Sequence, residues 1–155
     1  MTFLKCFFSV LISSVVSLAY ADALPLTTLD SYISKNGLKD PVARIYVYNR
    51  CTALFMMFTV QGKDQKDAES IKFTNNARQG YLTMALASAS TTSETFKNRE
   101  EASKQNQELV KKLEKIYQSY ADNQTDLGKD LFDDKLIGGD LMVCSQIYKT
   151  LVKNK

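Results

Sequence analysis

Two cysteines, Cys51 and Cys144, restrict the fold of this chain more than any other feature. These two residues lie far apart along the chain of 155 residues. Two thiols in an oxidising compartment usually pair with each other. We therefore predict a disulfide that joins an early segment to a late one, with two separate buried thiols as the alternative.

The third cysteine, Cys6, lies in a leader that is typical of a secretory signal peptide. Lys5 gives a positive start, residues 7–18 form an apolar run, and residues 19–21 form a small-x-small cleavage site. An uncleaved anchor is the alternative, but it needs about 20 apolar residues, and serines interrupt this run. We predict that residues 22–155 form one secreted domain with no transmembrane segment, periplasmic if the host is a Gram-negative bacterium.

Composition favours an all-α fold, because the chain holds only six glycines and two prolines. Apolar residues recur at helical spacing, with polar turns between the periodic segments. Residues 90–93 and 121–132 are predicted turns, and the polar segment 97–108 is expected to project or fray. The predicted elements are a lead-in helix over residues 27–37 and long helices over about 40–60, 64–89, 94–120 and from 133 or 140 to 152.

Four amphipathic helices with short connections most simply form an antiparallel up-down-up-down bundle. The first and last long helices are then neighbours that run in opposite directions. Cys51 and Cys144 each lie in the middle of an apolar stripe, so the topology and the predicted disulfide agree. Gly80 lies inside the second long helix, where glycine is unfavourable, and we attribute it to a close approach between helices.

The absence of histidine removes several classes of chemistry from this chain. Serine triads based on histidine, the commonest zinc sites and c-type haem attachment all need it. The sequence also has no glycine-rich phosphate loop. Its formal net charge of +3, which falls to about +2 without the leader, is too weak for a nucleic-acid footprint. We therefore expect no cofactor, no metal site, no nucleic-acid partner and no enzymatic activity.

Two arginines fall on the inward stripes of the predicted helices. Arg44 is on the face of Cys51, and Arg99 is on the inward line of the third long helix. Inward arginines are rarely unpaired, so these groups either reach water past the bundle end, bind a small anion, or form a structural ion pair. The predicted anion site, at one end of the bundle, consists of Arg44, Arg99, Tyr81, Tyr148 and Ser88.

The first long helix is apolar nearly all round, which indicates a second buried or contacting face. Either residues 24–38 cover this face, or it is an interface with a protein partner or a second copy of the chain. The predicted interface residues are Tyr46, Ala53, Met56, Met57 and Val60.

From these features we predict a non-enzymatic binding protein of the cell envelope, which acts through a protein-partner or homodimer interface on the first long helix. A bundle that binds a small anionic ligand at the Arg44/Arg99 end is the first alternative. An enzyme that uses carboxylates alone is the second alternative.

Overall fold

The computed structural model describes residues 26–153, and in this range the protein is all-α with no strand. The predicted signal peptide and residues 22–25 lie outside the described residues. The fold class is confirmed: four long helices form a bundle, and a short helix precedes them. The helices are α1 (Leu29–Asn36), α2 (Pro41–Gln61), α3 (Ala68–Thr95), α4 (Arg99–Asp126) and α5 (Lys135–Lys153), with 3₁₀ turns at Gly62–Asp64 and Leu131–Asp133.

Side-chain caps mark the start of all four long helices, and at α5 the Asp134 carboxylate accepts the backbone N–H groups of Leu136 and Ile137. The Asp40 carboxylate accepts the backbone N–H groups of Val42 and Ala43, and Pro41 occupies the first turn of α2. Asp67 caps α3 and Asn98 caps α4 in the same manner. Each cap satisfies backbone donors that have no partner inside the helix.

The disulfide between Cys51 and Cys144 is confirmed, and its two Cα atoms lie 5.4 Å apart. It joins the middle of α2 to the middle of α5, as the predicted antiparallel pairing of these helices requires. Helix α2 is the central element of the bundle and packs against each of the other helices. Helix α1 lies across α2 and α5, and its first residue, Leu29, is fully buried.

Large apolar side chains from all four long helices form one core. They include Val47, Leu54 and Met57 of α2, which have no exposed surface. The prediction for Gly80 is confirmed, because a Cβ atom at this position would lie 2.8 Å from the Phe55 ring. Glycine there lets α2 and α3 approach closely.

The predicted turn at residues 90–93 is wrong, because α3 continues to Thr95. The hydroxyls of Thr91, Thr92 and Thr95 each donate to the backbone carbonyl four residues earlier. These bonds are compatible with a helix as well as with a turn, so a serine- and threonine-rich segment does not settle the choice by itself.

Helix α4 also differs from its prediction at both ends. Its polar first half does not fray, because Ala102 and Asn106 are buried against the bundle. Its last turn extends past Ala121, which is fully buried, so the predicted loop at residues 121–132 is shorter than expected. None of the helices within residues 26–153 is long and apolar enough to cross a membrane.

Candidate functional site

A buried ionic cluster joins α2, α4 and α5, and the sequence did not predict it. Arg50, Tyr117 and Asp140 all have 0 % relative exposure. Arg50 Nη2 lies 2.5 Å from Asp140 Oδ2, and Arg50 Nε donates to Tyr117 Oη at 2.9 Å and to Asp140 Oδ2 at 3.0 Å. The Tyr117 hydroxyl in turn donates to the same carboxylate oxygen. We call these three residues the ionic cluster.

The electrostatics of the ionic cluster combine burial with close opposite charge. Burial by itself lowers the pKa of Arg50, but the facing oxygens of Tyr117 and Asp140 raise it above its ordinary value. Burial raises the pKa of Asp140, while the Arg50 charge acts in the opposite direction. Burial also raises the pKa of Tyr117, so its phenol stays protonated and can donate to Asp140. Asp140 accepts hydrogen bonds from Arg50, Tyr117 and Leu29, which is the bonding of a carboxylate paired with a guanidinium.

The ionic cluster also fixes the position of α1. Asp140 Oδ1 accepts the backbone N–H of Leu29 at 2.6 Å, at the start of α1. The Tyr32 ring lies 4.4 Å, between centroids, from the ring of Tyr46, whose hydroxyl faces Arg50. With its polar atoms paired and its surface covered, the ionic cluster organises the fold and does not contact solvent.

A cavity of about 600 Å³ opens between α2, α3 and α4, on another side of the bundle. Its apolar wall is formed by Met56, Ala85, Ala89 and Val110. The other neutral side chains that line it all carry a hydroxyl or an amide: Asn49, Thr52, Tyr81, Ser88, Thr92, Ser93, Ser103, Asn106 and Gln107.

Four buried residues at the floor of this cavity form a directional hydrogen-bond network. Thr92 Oγ1 donates to the Ser88 carbonyl at 2.7 Å, so it must accept from Asn106 Nδ2, also at 2.7 Å. Asn106 Oδ1 then faces Asn49 Nδ2 at 3.0 Å. The remaining oxygen, Asn49 Oδ1, accepts from the Ser88 hydroxyl at 2.5 Å. We call these residues the amide network.

The direction of the amide network leaves donors unused. Each side-chain amide nitrogen carries two N–H groups. Asn49 and Asn106 each donate one of these N–H groups to a partner inside the network. Both residues are more than nine-tenths buried, and both line the cavity. Asn49 and Asn106, on the cavity floor, therefore each keep one amide N–H without a hydrogen-bond partner among the described residues.

The charges at the cavity have one sign. Among the described residues that line the cavity, Arg99 and Lys111 are the ionisable cations, and none is an aspartate or a glutamate. The ion pair between Arg50 and Asp140 is the one present within residues 26–153, so both cations lack an ion-pair partner in that range. Arg99 is also in the first turn of α4, where the helix dipole adds positive potential and Glu100 and Glu101, which do not line the cavity, add negative charge.

The structure brings together three of the five residues of the predicted anion site. Tyr81, Ser88 and Arg99 line the cavity. Arg44 instead donates to the carbonyls of Leu38 and Lys39, at 3.1 Å each, and so fixes the loop between α1 and α2. The Tyr148 hydroxyl donates to Gln79 and does not line the cavity.

The predicted interface residues are distributed over three environments. Ala53 and Met57 have no exposed surface, and Tyr46 packs against Tyr32 of α1. Met56 lines the cavity, and Val60 is 46 % exposed. Much of this face therefore lies inside the fold, partly beneath α1, and the interface stays a prediction for Met56 and Val60.

The sequence contained a signal for part of the ionic cluster, because Arg50 directly precedes Cys51 and Asp140 lies one helical turn before Cys144. A disulfide between these cysteines brings both charged residues to within about one helical turn of the same covalent link. The amide network had no comparable signal, because its four polar residues come from three helices whose register the disulfide does not fix.

Metal binding and known relatives give no further guide to this site. Within residues 26–153, no three cysteine, aspartate or glutamate side chains come together as metal ligands. No protein-family model, curated protein or solved structure matches this chain.

Proposed function

We propose that this chain is a secreted, non-enzymatic binding protein whose ligand is a small organic anion held in the cavity between α2, α3 and α4. One observation carries the proposal: the described residues that line the cavity include two cations and two asparagines that each keep a free amide N–H, and none of them is a carboxylate. A ligand rich in hydrogen-bond acceptors complements that surface. A cationic ligand would lose its hydration shell there without gaining a countercharge.

The volume and lining of the cavity also fit a small molecule. Ligand pockets usually span about 300–1,000 Å³ and combine an apolar wall with a few placed polar groups. This cavity has about 600 Å³, an apolar wall centred on Met56 and Ala85, and a polar floor.

A blocking variant tests the proposal. Ala89 is exposed and lines the cavity, so Ala89→Trp places a large ring in it without changing the core. Leu86→Trp is the matched control, because Leu86 is 65 % exposed on the same helix and does not line the cavity. The probes are N-acetyl-diglycine, which is an anion with two amides, and diglycine amide, which is its cationic counterpart.

Calorimetric or NMR titration should show that the wild type and Leu86→Trp bind N-acetyl-diglycine and not diglycine amide. Ala89→Trp should lose that binding. Binding that survives Ala89→Trp, or a preference for the cation, would overturn the proposal.

The secreted location rests on the leader and on the disulfide, since such bonds persist mainly in oxidising compartments. N-terminal sequencing of the exported protein should read from Asp22. Recovery of intact Met1 in a membrane fraction would contradict this location.

A protein-partner or homodimer function is the second candidate, favoured by apolar residues exposed at one end of the bundle. Val60 lies in the last turn of α2, while Leu127 and Phe132 follow α4, and their exposed fractions are 46 %, 62 % and 50 %. Sedimentation velocity should then show self-association that Val60→Glu abolishes without loss of helicity. A monomer at all concentrations would argue against the homodimer.

A further inference from the structure

The two cations of the cavity stand at its opposite ends. Arg99 and Lys111 are twelve residues apart on α4, which corresponds to about 18 Å along the helix axis. The antiparallel pairing of α3 and α4, fixed by the bond between Asn106 and Thr92, places Arg99 beside the end of α3. Lys111 lies at the other end, where Ala85 and Met56 form the wall.

The free amide N–H groups lie between these two cations. Asn106 is seven residues after Arg99 and five before Lys111 on the same helix. Asn49 reaches the same level from α2, because it donates directly to Asn106. Along its length the cavity therefore presents a cation, a pair of amide donors and a second cation.

A compact anion can satisfy only one part of this arrangement. A single carboxylate at Arg99 leaves Lys111 and the amide donors to water. A hydrocarbon chain between two carboxylates would reach both cations but would cover the amide donors without pairing them, which is unfavourable for buried donors.

From this arrangement we infer that the ligand is a linear dianion, with an acidic group at each end and acceptor oxygens, such as amide carbonyls, between them. The acidic ends contact Arg99 and Lys111, and the central oxygens accept from Asn49 and Asn106. This inference rests on the proposed function and narrows its ligand class.

Three probes separate the parts of this inference. Succinyl-diglycine carries a carboxylate at each end and two amides between them. N-acetyl-diglycine lacks one of the carboxylates. Sebacate has both carboxylates on a chain of the same length as succinyl-diglycine but lacks the amides.

Calorimetry on the folded protein should show succinyl-diglycine binding about fivefold more tightly than N-acetyl-diglycine, since a partly exposed charge pair contributes up to about 1 kcal/mol. The advantage over sebacate should be about as large, since a hydrogen bond to a buried donor contributes a similar free energy. Lys111→Gln should remove the advantage over N-acetyl-diglycine. Lys112→Gln is the matched control, because Lys112 is exposed and does not line the cavity, and it should retain that advantage.

The outcomes distinguish this inference from the proposed function. Equal affinity for succinyl-diglycine and N-acetyl-diglycine overturns the dianion and leaves the anion site standing. Equal affinity for succinyl-diglycine and sebacate overturns the central acceptors. If no probe binds, the proposed function itself fails.

Discussion

Two neighbouring residues of α2, Asn49 and Arg50, belong to two polar regions that differ in solvent access and in charge. Arg50 belongs to the ionic cluster, whose three side chains are fully buried and which α1 covers. Asn49 belongs to the amide network, which lies at the floor of an open cavity. Both regions are buried at the level of their side chains, but only one of them adjoins a space that a ligand can enter.

The difference between the two regions lies in what remains unpaired. The ionic cluster contains full charges, and the atoms of Asp140 face the guanidinium of Arg50, the hydroxyl of Tyr117 and the N–H of Leu29. A buried charge is stable only with such complete pairing. The amide network is neutral and retains amide donors on residues that line the cavity. A neutral group can remain partly unpaired beside water at low cost, so this region is the one available for binding.

Loss of the disulfide should have the largest effect on stability, and it should act on the region of the ionic cluster. Cys51 and Cys144 are 93 residues apart, and loop-entropy arguments for such a separation give about 4–5 kcal/mol as an upper value. We expect Cys51→Ser with Cys144→Ser to lower the melting temperature strongly while leaving some helix, as measured by circular dichroism. Two alkylatable thiols in the native wild-type protein would contradict this account.

Asp140→Asn should have the second-largest effect on stability, because it leaves Arg50 buried without a countercharge. Breaking a buried ion pair in this way costs about 3–5 kcal/mol. Denaturant unfolding should show that loss, while the folded fraction still binds succinyl-diglycine. Asp126→Asn, at an exposed position on α4, is the control and should change stability by less than about 0.5 kcal/mol. Wild-type stability in Asp140→Asn would mean that the ionic cluster contributes nothing to the fold.

Asn106→Leu should have the opposite result to Asp140→Asn, namely a small loss of stability with a loss of ligand binding. It removes one amide nitrogen from the cavity floor and leaves Asn49 and Thr92 without their partner, but water in the open cavity can replace it. We expect a stability loss of about 1 kcal/mol together with loss of succinyl-diglycine binding. A large loss of stability with unchanged binding by the remaining folded protein would show that the two regions have the opposite roles.

The smallest effect should be a pH response outside both regions. The Ser70 backbone N–H lowers the pKa of Asp67 below its ordinary value of 3.8. This cap therefore stabilises α3 above that pH and is lost as the pH falls through the lowered pKa. Amide exchange should quicken only in the first turn of α3. Asp67→Asn, which caps without a charge, should show no such pH dependence, and an identical response in both proteins would refute the assignment.

The sequence was sufficient to predict the fold because its signals were local and numerous. Helical periodicity, the Asp40-Pro41 start and two mid-stripe cysteines each depend on few residues. The predicted turn at residues 90–93 was wrong, and the predicted loop at residues 121–132 began too early, because serine and threonine hydroxyls cap turns and also bond within helices. For Thr92 and Ala121, burial against the bundle decides between these, and burial is a tertiary property.

The candidate site was only partly predictable for a related reason. Helical spacing places Tyr81, Ser88 and Arg99 on inward faces, and they do line one cavity. It says nothing about nearby acceptors, so it did not show that Arg44 bonds to the loop carbonyls of Leu38 and Lys39. Spacing also does not reveal hydrogen-bond direction, which is the property that leaves donors free in the amide network.

One measurement tests the contrast between the two regions directly: an NMR titration of the ¹⁵N-labelled protein with succinyl-diglycine that follows side-chain N–H signals. The account predicts that the amide signals of Asn49 and Asn106 shift with ligand concentration while the Nε–H signal of Arg50 stays constant. A shift of the Arg50 signal with constant asparagine signals would contradict it, because the ligand would then occupy the region assigned to the fold alone.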